Sequence, residues 1–457
     1  MCGLVGAYGQ RLSKEPALAA IAHRGPDSAG WWTSGPVTLG HTRLAIQDAD
    51  NAVAGQPYRR GTVTLTYNGE LWNTAALRSD DPAPVTNSDT EQVARLLDEY
   101  GWLALDHLDG MFALAWHDET PGPRQGTWLA RDRFGKVPLY ACRAGQKWLW
   151  ASELKALPRG IPATAVAPGT AVHLPDGKVY RWATPDNPDR VTAAGIALHL
   201  REGVRKRLVS DRPLAFLLSG GLDSTMVLAA ALDLGVKDPI AYTAVYDPAS
   251  PDTRAARQVA RELGVHLVEV KVPQPDRQAL HDAVRAVEVP MKAQVEIALG
   301  CLPLARAIAS DGYRVVLSGE AADELFGGYG SMQIQASAAD DEGWREIRRA
   351  QLAKMARGNF VRVNKIFMAA GVEARLPFME RGLVAMALAA TKRENPPGKK
   401  LLKNAAAGLV PRWVIGRPKD TFQGAAGLNL AAAATVRNPT VFYHAEARSI
   451  FGYLPKG

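Results

Sequence analysis

Cysteine is scarce in this sequence: Cys2, Cys142 and Cys301 are the three thiols among 457 residues. Three thiols cannot build a disulfide framework, and their spacing matches no zinc site. That usage fits a reducing cytoplasm, which is the expected location. Long apolar runs are lacking as well. None approaches the roughly 20 residues of a bilayer-spanning helix, and the Ala-rich stretch 431–436 is far too short. No basic segment leads into an apolar one at the start of the chain, so neither a leader nor a membrane is expected. One-sided charge is missing too. The net charge is +8, but Lys and Arg are scattered, with only small groups such as Arg201 to Arg207 and Lys399 to Lys403. Solvated faces account for these, and nucleic acid is not an expected partner. What remains is an ordinary globular composition, 47% hydrophobic and 22% charged, in a chain long enough for two domains or three.

The most informative stretch is Leu217-Leu218-Ser219-Gly220-Gly221-Leu222-Asp223-Ser224. Leu214 to Leu218 is a short apolar run without polar alternation, which predicts a buried strand. Two glycines follow, then an apolar segment from Thr225 to Leu234 with helical character. Strand, tight turn and helix N-terminus together aim backbone N–H groups and a helix dipole at one point, a place suited to an anion. Ser219 and Ser224 add hydroxyls, and Asp223 adds a carboxylate suited to Mg²⁺ carried on phosphates. The stretch is not a GxxxxGK[ST] loop, because no Lys follows the glycines. Alone, it also reads as an ordinary glycine turn.

At the other end, Met1-Cys2-Gly3 puts a thiol beside the chain start. With Met1 removed, Cys2 would carry a thiol and an α-amine of pKa near 7.7–8.0, nucleophile and base on one residue. The segments that follow are short. His23-Arg24-Gly25-Pro26-Asp27 is a polar turn, Gly40 to Ile46 a strand carrying Arg43, and Tyr67 to Asn73 a strand ending at Asn68-Gly69. Such an end can turn N–H groups toward an oxyanion. Thr86 to Glu91 has the look of a helix N-cap, with Val93, Leu96 and Leu97 following on one helical face. Further strands are expected at Met111 to Trp116 and Thr127 to Ala130, then a hairpin over 172–182. This pattern predicts a two-sheet sandwich with helices packed on it. Pro185 to Pro188 reads as the linker.

From Thr192 the pattern turns helical, and strands alternate with helices: Ile240 to Tyr246, an amphipathic helix over Thr253 to Leu263, Leu267 to Val272, and Tyr313 to Leu317. Alternation of this kind argues a parallel sheet with ligands at the carboxyl ends of its strands. The last of these strands runs into Ser318-Gly319-Glu320-Ala321-Ala322-Asp323-Glu324-Leu325-Phe326-Gly327-Gly328-Tyr329. Two acids three residues apart in a glycine-bracketed turn again suit a metal and a phosphate. The segment Asp340 to Arg349 reads as a solvated helix.

Ser-Gly-Gly-Leu-Asp-Ser resembles the pyrophosphate loop of the ATP pyrophosphatases, in the version carried by the glutamine-dependent asparagine synthetase family. The segments of residues 2–157 resemble, in the same order, that family's class II glutaminase domain. The fold implied is an α+β N-terminal-nucleophile glutaminase sandwich over residues 2–185, followed by an α/β parallel-sheet ATP-pyrophosphatase domain over 190–457. The resemblance implies Cys2 as nucleophile, Asn68 and Gly69 as the oxyanion pair, Arg43 on the α-carboxylate of glutamine, and Glu70 and Asp89 on its α-amine. It implies Leu217, Ser219, Gly220, Gly221, Asp223, Ser224, Ser318 and Gly319 against ATP, and Asp223 with Asp323 on Mg²⁺. Glu320 matches the base that deprotonates the attacking amine. Lys419, in Arg417-Pro418-Lys419-Asp420-x-Phe422, matches the lysine that stabilises charge on the acyl-adenylate and pyrophosphate. Gly371-Val372-Glu373-Ala374-Arg375-Leu376-Pro377-Phe378 resembles a segment near the acyl acceptor, and Lys399 and Lys400 lie where the family has a Lys.

Three stretches depart from the family pattern: Pro290 to Ile297, Val361-Arg362-Val363-Asn364-Lys365 with Asn364 in place of an Asp, and Met379-Glu380 in place of Leu-Asp. The first two are expected in the acceptor pocket. The activity implied is therefore a glutamine-hydrolysing, ATP-dependent amide ligase acting on aspartate by default. One alternative is an amidotransferase of specialised metabolism acting on another carboxylate, and a further one is a non-catalytic, regulatory member. Small molecules are the expected partners: glutamine, ATP and a carboxylate. Whether the chain pairs as a homodimer is left open.

Overall fold

In the computed structural model the described residues are 1–455 apart from 82, 185, 187, 189 and 419–427. Twelve short strands within residues 3–181 form two six-stranded antiparallel sheets. The order of the first is Thr164–Ala165, Tyr140–Ala144, Lys147–Ala151, Gly3–Tyr8, Val37–Arg43, Ser28–Ser34. In the second it is Val179–Arg181, Thr170–Leu174, Gly126–Arg131, Gly110–Asp118, Val63–Leu71, Tyr58–Arg60. The expected sandwich is there.

The Val63–Leu71 strand shows why the site forms where it does. It does not stop at Asn68-Gly69, as the dipeptide suggested, but stays paired with Gly110–Asp118 through Leu71. A strand has period two. Val63, Leu65, Tyr67 and Leu71 therefore share one face and pack on Val93 and Leu97 of the Asp89–Tyr100 helix. Asn68 and Glu70 point the other way. That helix starts where expected, with the Ser88 hydroxyl accepting from the N–H of Thr90.

The third sheet is parallel throughout, in the order His266–Lys271, Ile240–Val245, Leu214–Leu217, Val315–Leu317, Glu373–Arg375. Strands covered by helices lose the polar alternation of a half-exposed sheet, which is why Leu214–Leu217 and Val315–Leu317 were legible, while His266–Lys271, the half-exposed edge strand, was legible from its place in the strand–helix alternation. The fifth was not foreseen: it is three residues long, with a charge at each end. In chain order the sheet runs 3-2-1-4-5, so its direction of winding reverses between Leu214–Leu217 and Val315–Leu317. Ligands of open parallel sheets bind at such a reversal, beyond the strands' carboxyl ends. The Ser219 and Ser318 loops both emerge there. The helix after the first loop begins at Leu222 rather than Thr225.

One helix differs from expectation in its burial. Asp341–Met355 is not simply solvated, for it buries Trp344, Arg348, Leu352 and Met355. Lys292–Ser310 is long and apolar enough by composition to cross a membrane. It is instead a core helix, burying Val295, Ala298, Leu302, Ala305 and Ile308.

Candidate active sites

The antiparallel half carries a small cleft lined by Cys2, Arg43, Gln47, Gly69, Glu70 and Asp89, with Met1 at its wall. Cys2 stands one residue ahead of the central Gly3–Tyr8 strand, whose register pairs Gly3 with Thr42 and so sets Cys2 opposite the end of Arg43's strand. The Cys2 N–H donates to Asn68 Oδ1 at 2.8 Å, its S–H points to the Leu44 carbonyl at 3.9 Å, and Arg24 Nε donates to its carbonyl at 2.9 Å. Burial pushes the thiol pKa up, and the nearby terminal amine opposes that. Asn68 Nδ2 faces Ser152 Oγ at 3.3 Å.

Arg43 donates to the backbone carbonyls of Gln47, Asp48 and Asn51 at 3.3, 2.8 and 3.1 Å. Carbonyl dipoles position the guanidinium without cancelling its charge. Asp89 accepts from the Tyr67 hydroxyl at 2.9 Å and the Leu71 N–H at 3.1 Å. Glu70 accepts from Gln47 and lies 3.4 Å from Arg375. Burial drives the Glu70 carboxyl pKa well up, more than Arg375 draws it down. One cation facing two buried carboxyls suits a zwitterion of the α-amino-acid type.

The second site lies at the reversal point of the parallel sheet. Gly220 has φ +71°, and a Cβ there would lie 2.4 Å from the Ala256 nitrogen, so the turn requires glycine. Ser224 Oγ accepts from the Ser219 N–H at 3.2 Å and lies 3.1 Å from Ser219 Oγ. Leu217 ends the strand beneath this loop. Asp223 and Asp323 converge on one ammonium: Lys399 Nζ lies 2.7 and 2.5 Å from the two Asp223 oxygens and 2.7 Å from Asp323 Oδ1. The amine stands where two carboxylates on neighbouring loops can share a cation, and that donor set fits Mg²⁺ carried on phosphates. The role of Lys399 was missed, although its position was noted. Lys419 lies outside the described residues, as do Pro185, Asn187 and Gly457 of the expected linker and domain limits.

Beside the Ser318-Gly319 turn, Glu320 accepts from Asn359 Nδ2 at 3.1 Å and from Arg362 Nη2 at 2.5 Å. Gln294 ties these together, donating to Asn359 at 2.9 Å and accepting from Arg362 at 3.1 Å. The unusual 290–297 segment thus does reach the Glu320 side. Burial, then repulsion from Glu320, pushes the Glu324 carboxyl up to about 7. Sequence reasoning did not find Asn359, which belongs to no recognisable spacing, and it named Arg362 only as part of the departing stretch 361–365, without a role.

One expectation is corrected. Asn364 is not in this pocket: it accepts from Arg24 Nη2 at 2.9 Å and donates to Met1 Sδ at 2.9 Å, at the seam between the antiparallel and parallel halves. Glu373 and Arg375 lie on that seam too, Glu373 pairing with the amine of Met1. Buried charges facing another part of the chain resemble a ligand site when only spacing is visible.

Ala321 holds φ +83° at only 2% exposure. The left-handed region costs a Cβ-bearing residue about 1–2 kcal/mol. Ala321→Gly removes that strain but loses about 0.8 kcal/mol of buried methyl and up to about 1 kcal/mol of chain entropy. It should therefore stay within about 1 kcal/mol of wild type in a urea melt. Ala321→Val should lose about 2 kcal/mol or more, because a β-branched residue tolerates this region poorly. Equal melts for the two variants would contradict the strain.

Residues 1–173 match the family described as glutamine amidotransferase domain, and residues 195–350 and 332–438 match asparagine synthase. The chain is 31% identical to asparagine synthetase B (glutamine-hydrolyzing) of Escherichia coli over 466 residues, covering 93% of this chain and 83% of that one. It is 32% identical to the glutamine-hydrolyzing asparagine synthetase of Asparagus officinalis, covering 92% and 74%. Among solved structures, the glutamine PRPP amidotransferase of B. subtilis complexed with ADP and GMP aligns at 18% identity and a TM-score of 0.34, over 59% of this chain and 66% of that one.

Proposed function

Because the chain belongs to the glutamine-hydrolysing asparagine synthetase family, and is thus a glutamine-dependent carbon–nitrogen ligase using ATP, we propose how its residues divide the work. Residues 2–185 form the glutaminase and 190–457 the synthetase. The observation that carries this division is the pairing of a thiol cleft shaped for an α-amino acid with a glycine loop at a parallel-sheet reversal.

In the first half Arg43 holds the α-carboxylate of glutamine, as a guanidinium can do bidentately, while Glu70 and Asp89 hold the α-ammonium. Cys2 Sγ attacks the side-chain amide carbon, with the α-amine of Cys2, freed by removal of Met1, taking the thiol proton. Asn68 and the Gly69 N–H stabilise the oxyanion. Asn68 reaches that role from its bond with the Cys2 nitrogen. Collapse, with the α-ammonium of Cys2 returning that proton to the amide nitrogen, expels ammonia and leaves a thioester, which water hydrolyses to glutamate.

In the second half the Ser219–Ser224 loop, with Ser318 and Gly319, cradles the phosphates of ATP. Asp223 and Asp323 would hold Mg²⁺, which when bound neutralises phosphate charge. The β-carboxylate of aspartate attacks the α-phosphorus, so pyrophosphate leaves and an acyl-adenylate remains. Ammonia attacks that carbonyl, Glu320 accepts the surplus proton, and AMP departs to give asparagine. Lys419 and Lys399 supply fixed positive charge. Adenylation turns a poor electrophile into a reactive one, and passage of ammonia directly from one half to the other would keep it unprotonated and local.

Pyrophosphate release with Mg²⁺-ATP and glutamine, run with aspartate against a panel of other carboxylic acids, tests the acceptor. Release with aspartate together with asparagine formation is expected. Release with another acid and none with aspartate would assign the Gln294–Asn359–Arg362 surroundings of Glu320 to a different substrate. No release with any acid would overturn the ligase reading of these sites.

A further inference from the structure

Arg375 touches both halves of the molecule. Its side chain is fully buried, with Nε donating to Glu373 at 2.7 Å and Nη1 to the carbonyls of Arg207 and Val209 at 2.8 and 2.6 Å. Among the described residues Nη2 makes no hydrogen bond, and its one near partner is the Glu70 carboxyl, with Oε2 at 3.4 Å, the distance of a loose ion pair. One guanidinium nitrogen is thus left aimed at a carboxyl of the glutamine cleft. Such a buried orphan donor is uncommon and costly.

The backbone of Arg375 leads to the other site. Its strand pairs in parallel with Val315–Leu317, and its carbonyl accepts from the Ser318 N–H at 3.0 Å. Ser318 opens the turn of Gly319 and Glu320. A Cβ on Gly319 would lie 2.7 Å from the Asp223 carbonyl carbon and from the Ser224 nitrogen, so this turn is pressed directly onto the glycine loop. Glu70, Arg375, Ser318, Gly319 and Asp223 make one contiguous path.

We propose that Arg375 is a positioning residue that couples occupancy of the glutamine cleft to the affinity of the adenylation site. This rests on the reading of Glu70 as the carboxyl that receives glutamine's α-ammonium. With the cleft empty, Glu70 is drawn toward the neutral form by burial, and Nη2 has little to close on. A bound α-ammonium holds Glu70 ionised. The carboxylate then closes on Nη2, the guanidinium shifts against Glu373, and the displacement passes through the Arg375 carbonyl to the Ser318 turn.

The test uses the full chain alkylated at Cys2 in two ways. A chloroketone analogue of glutamine leaves the α-ammonium over Glu70, whereas iodoacetamide leaves none. Labelling at Cys2 is checked by mass spectrometry, and Mg²⁺-ATP affinity is read by calorimetry on each adduct and on unmodified protein. We expect the chloroketone adduct to change the ATP dissociation constant by about fivefold or more, the usual lower range of such coupling, and the iodoacetamide adduct to leave it unchanged. In Arg375→Lys the two adducts should bind ATP alike. Equal affinities for the two wild-type adducts would overturn the proposal without any variant having to fold. A full difference retained in Arg375→Lys would overturn the part assigned to Arg375. Failure of the chloroketone to label Cys2 would refute the glutaminase reading instead, and the coupling with it.

Discussion

Cys2→Ala should abolish glutamine-dependent product formation, by at least about 10³-fold, while ammonium-dependent synthesis stays near the wild-type rate. In the proposed route the covalent step runs through one atom, Sγ, and among the described residues no neighbouring group offers a substitute. Tyr67 is tied to Asp89 and its hydroxyl pKa is driven well up, and His41 is buried, bonded to the Tyr67 carbonyl and pushed down to about 3, so it is neutral. Loss of a lone nucleophile typically costs several orders of magnitude. The packing loss is one buried sulfur, on the order of 1 kcal/mol, too little to disturb the parallel sheet. Initial rates with glutamine and with ammonium chloride, at fixed ATP and acceptor, decide the matter. Substantial glutamine-dependent product from the Ala variant would remove Cys2 from its proposed role.

Asp223→Asn should show the opposite split. Pyrophosphate release should fall about 10²-fold or more, the scale lost when one group stabilising developing charge is removed, while glutamine hydrolysis in the absence of ATP should stay within about twofold. The amide keeps the shape of the side chain and removes its charge. Lys399 would keep Asp323 as a partner at 2.7 Å, so the local fold should survive. Radiolabelled pyrophosphate release, with glutaminase assayed on the same preparation, reads both halves. If both activities fell together, Asp223 would be supporting the fold rather than the chemistry. If neither fell, the cation would have to be held elsewhere.

Much of this architecture was legible because the informative stretches obey local rules. A strand buried on both faces followed by two glycines could hardly be anything but a turn into a helix, and Leu214 to Asp233 folds that way. Ser88 is legible as a cap because a cap is a local hydrogen bond. What could not be read was non-local. Asn68-Gly69 has the chemistry of a turn, but pairing with Gly110–Asp118 along its whole length keeps it in a strand. Glu373–Arg375 is too short and too charged to announce a strand, and its neighbours are more than 50 residues away in sequence at Val315–Leu317 and farther still at Glu70. Lys399 makes the same point, since nothing in its surroundings in the chain says that its amine will lie between Asp223 and Asp323. The cluster of Gln294, Glu320, Asn359 and Arg362 draws on three separate segments and exists only once they are packed.

The buried charges along the seam limit how this protein can be rebuilt. Met1, Glu373, Arg375 and Glu70 form one ladder, and Arg24, Glu153, Lys155, Glu288 and Lys365 form another, with partners drawn from both halves. A chimaera that kept the synthetase half and took its ammonia-producing half from a distant relative would leave several of these groups facing apolar or like-charged surface. A buried charge without its partner costs about 3–5 kcal/mol, and a few such losses equal the stability of an entire domain. The two chemistries are separable on paper, yet the chain that carries them must be exchanged as a whole or have its seam redesigned residue by residue.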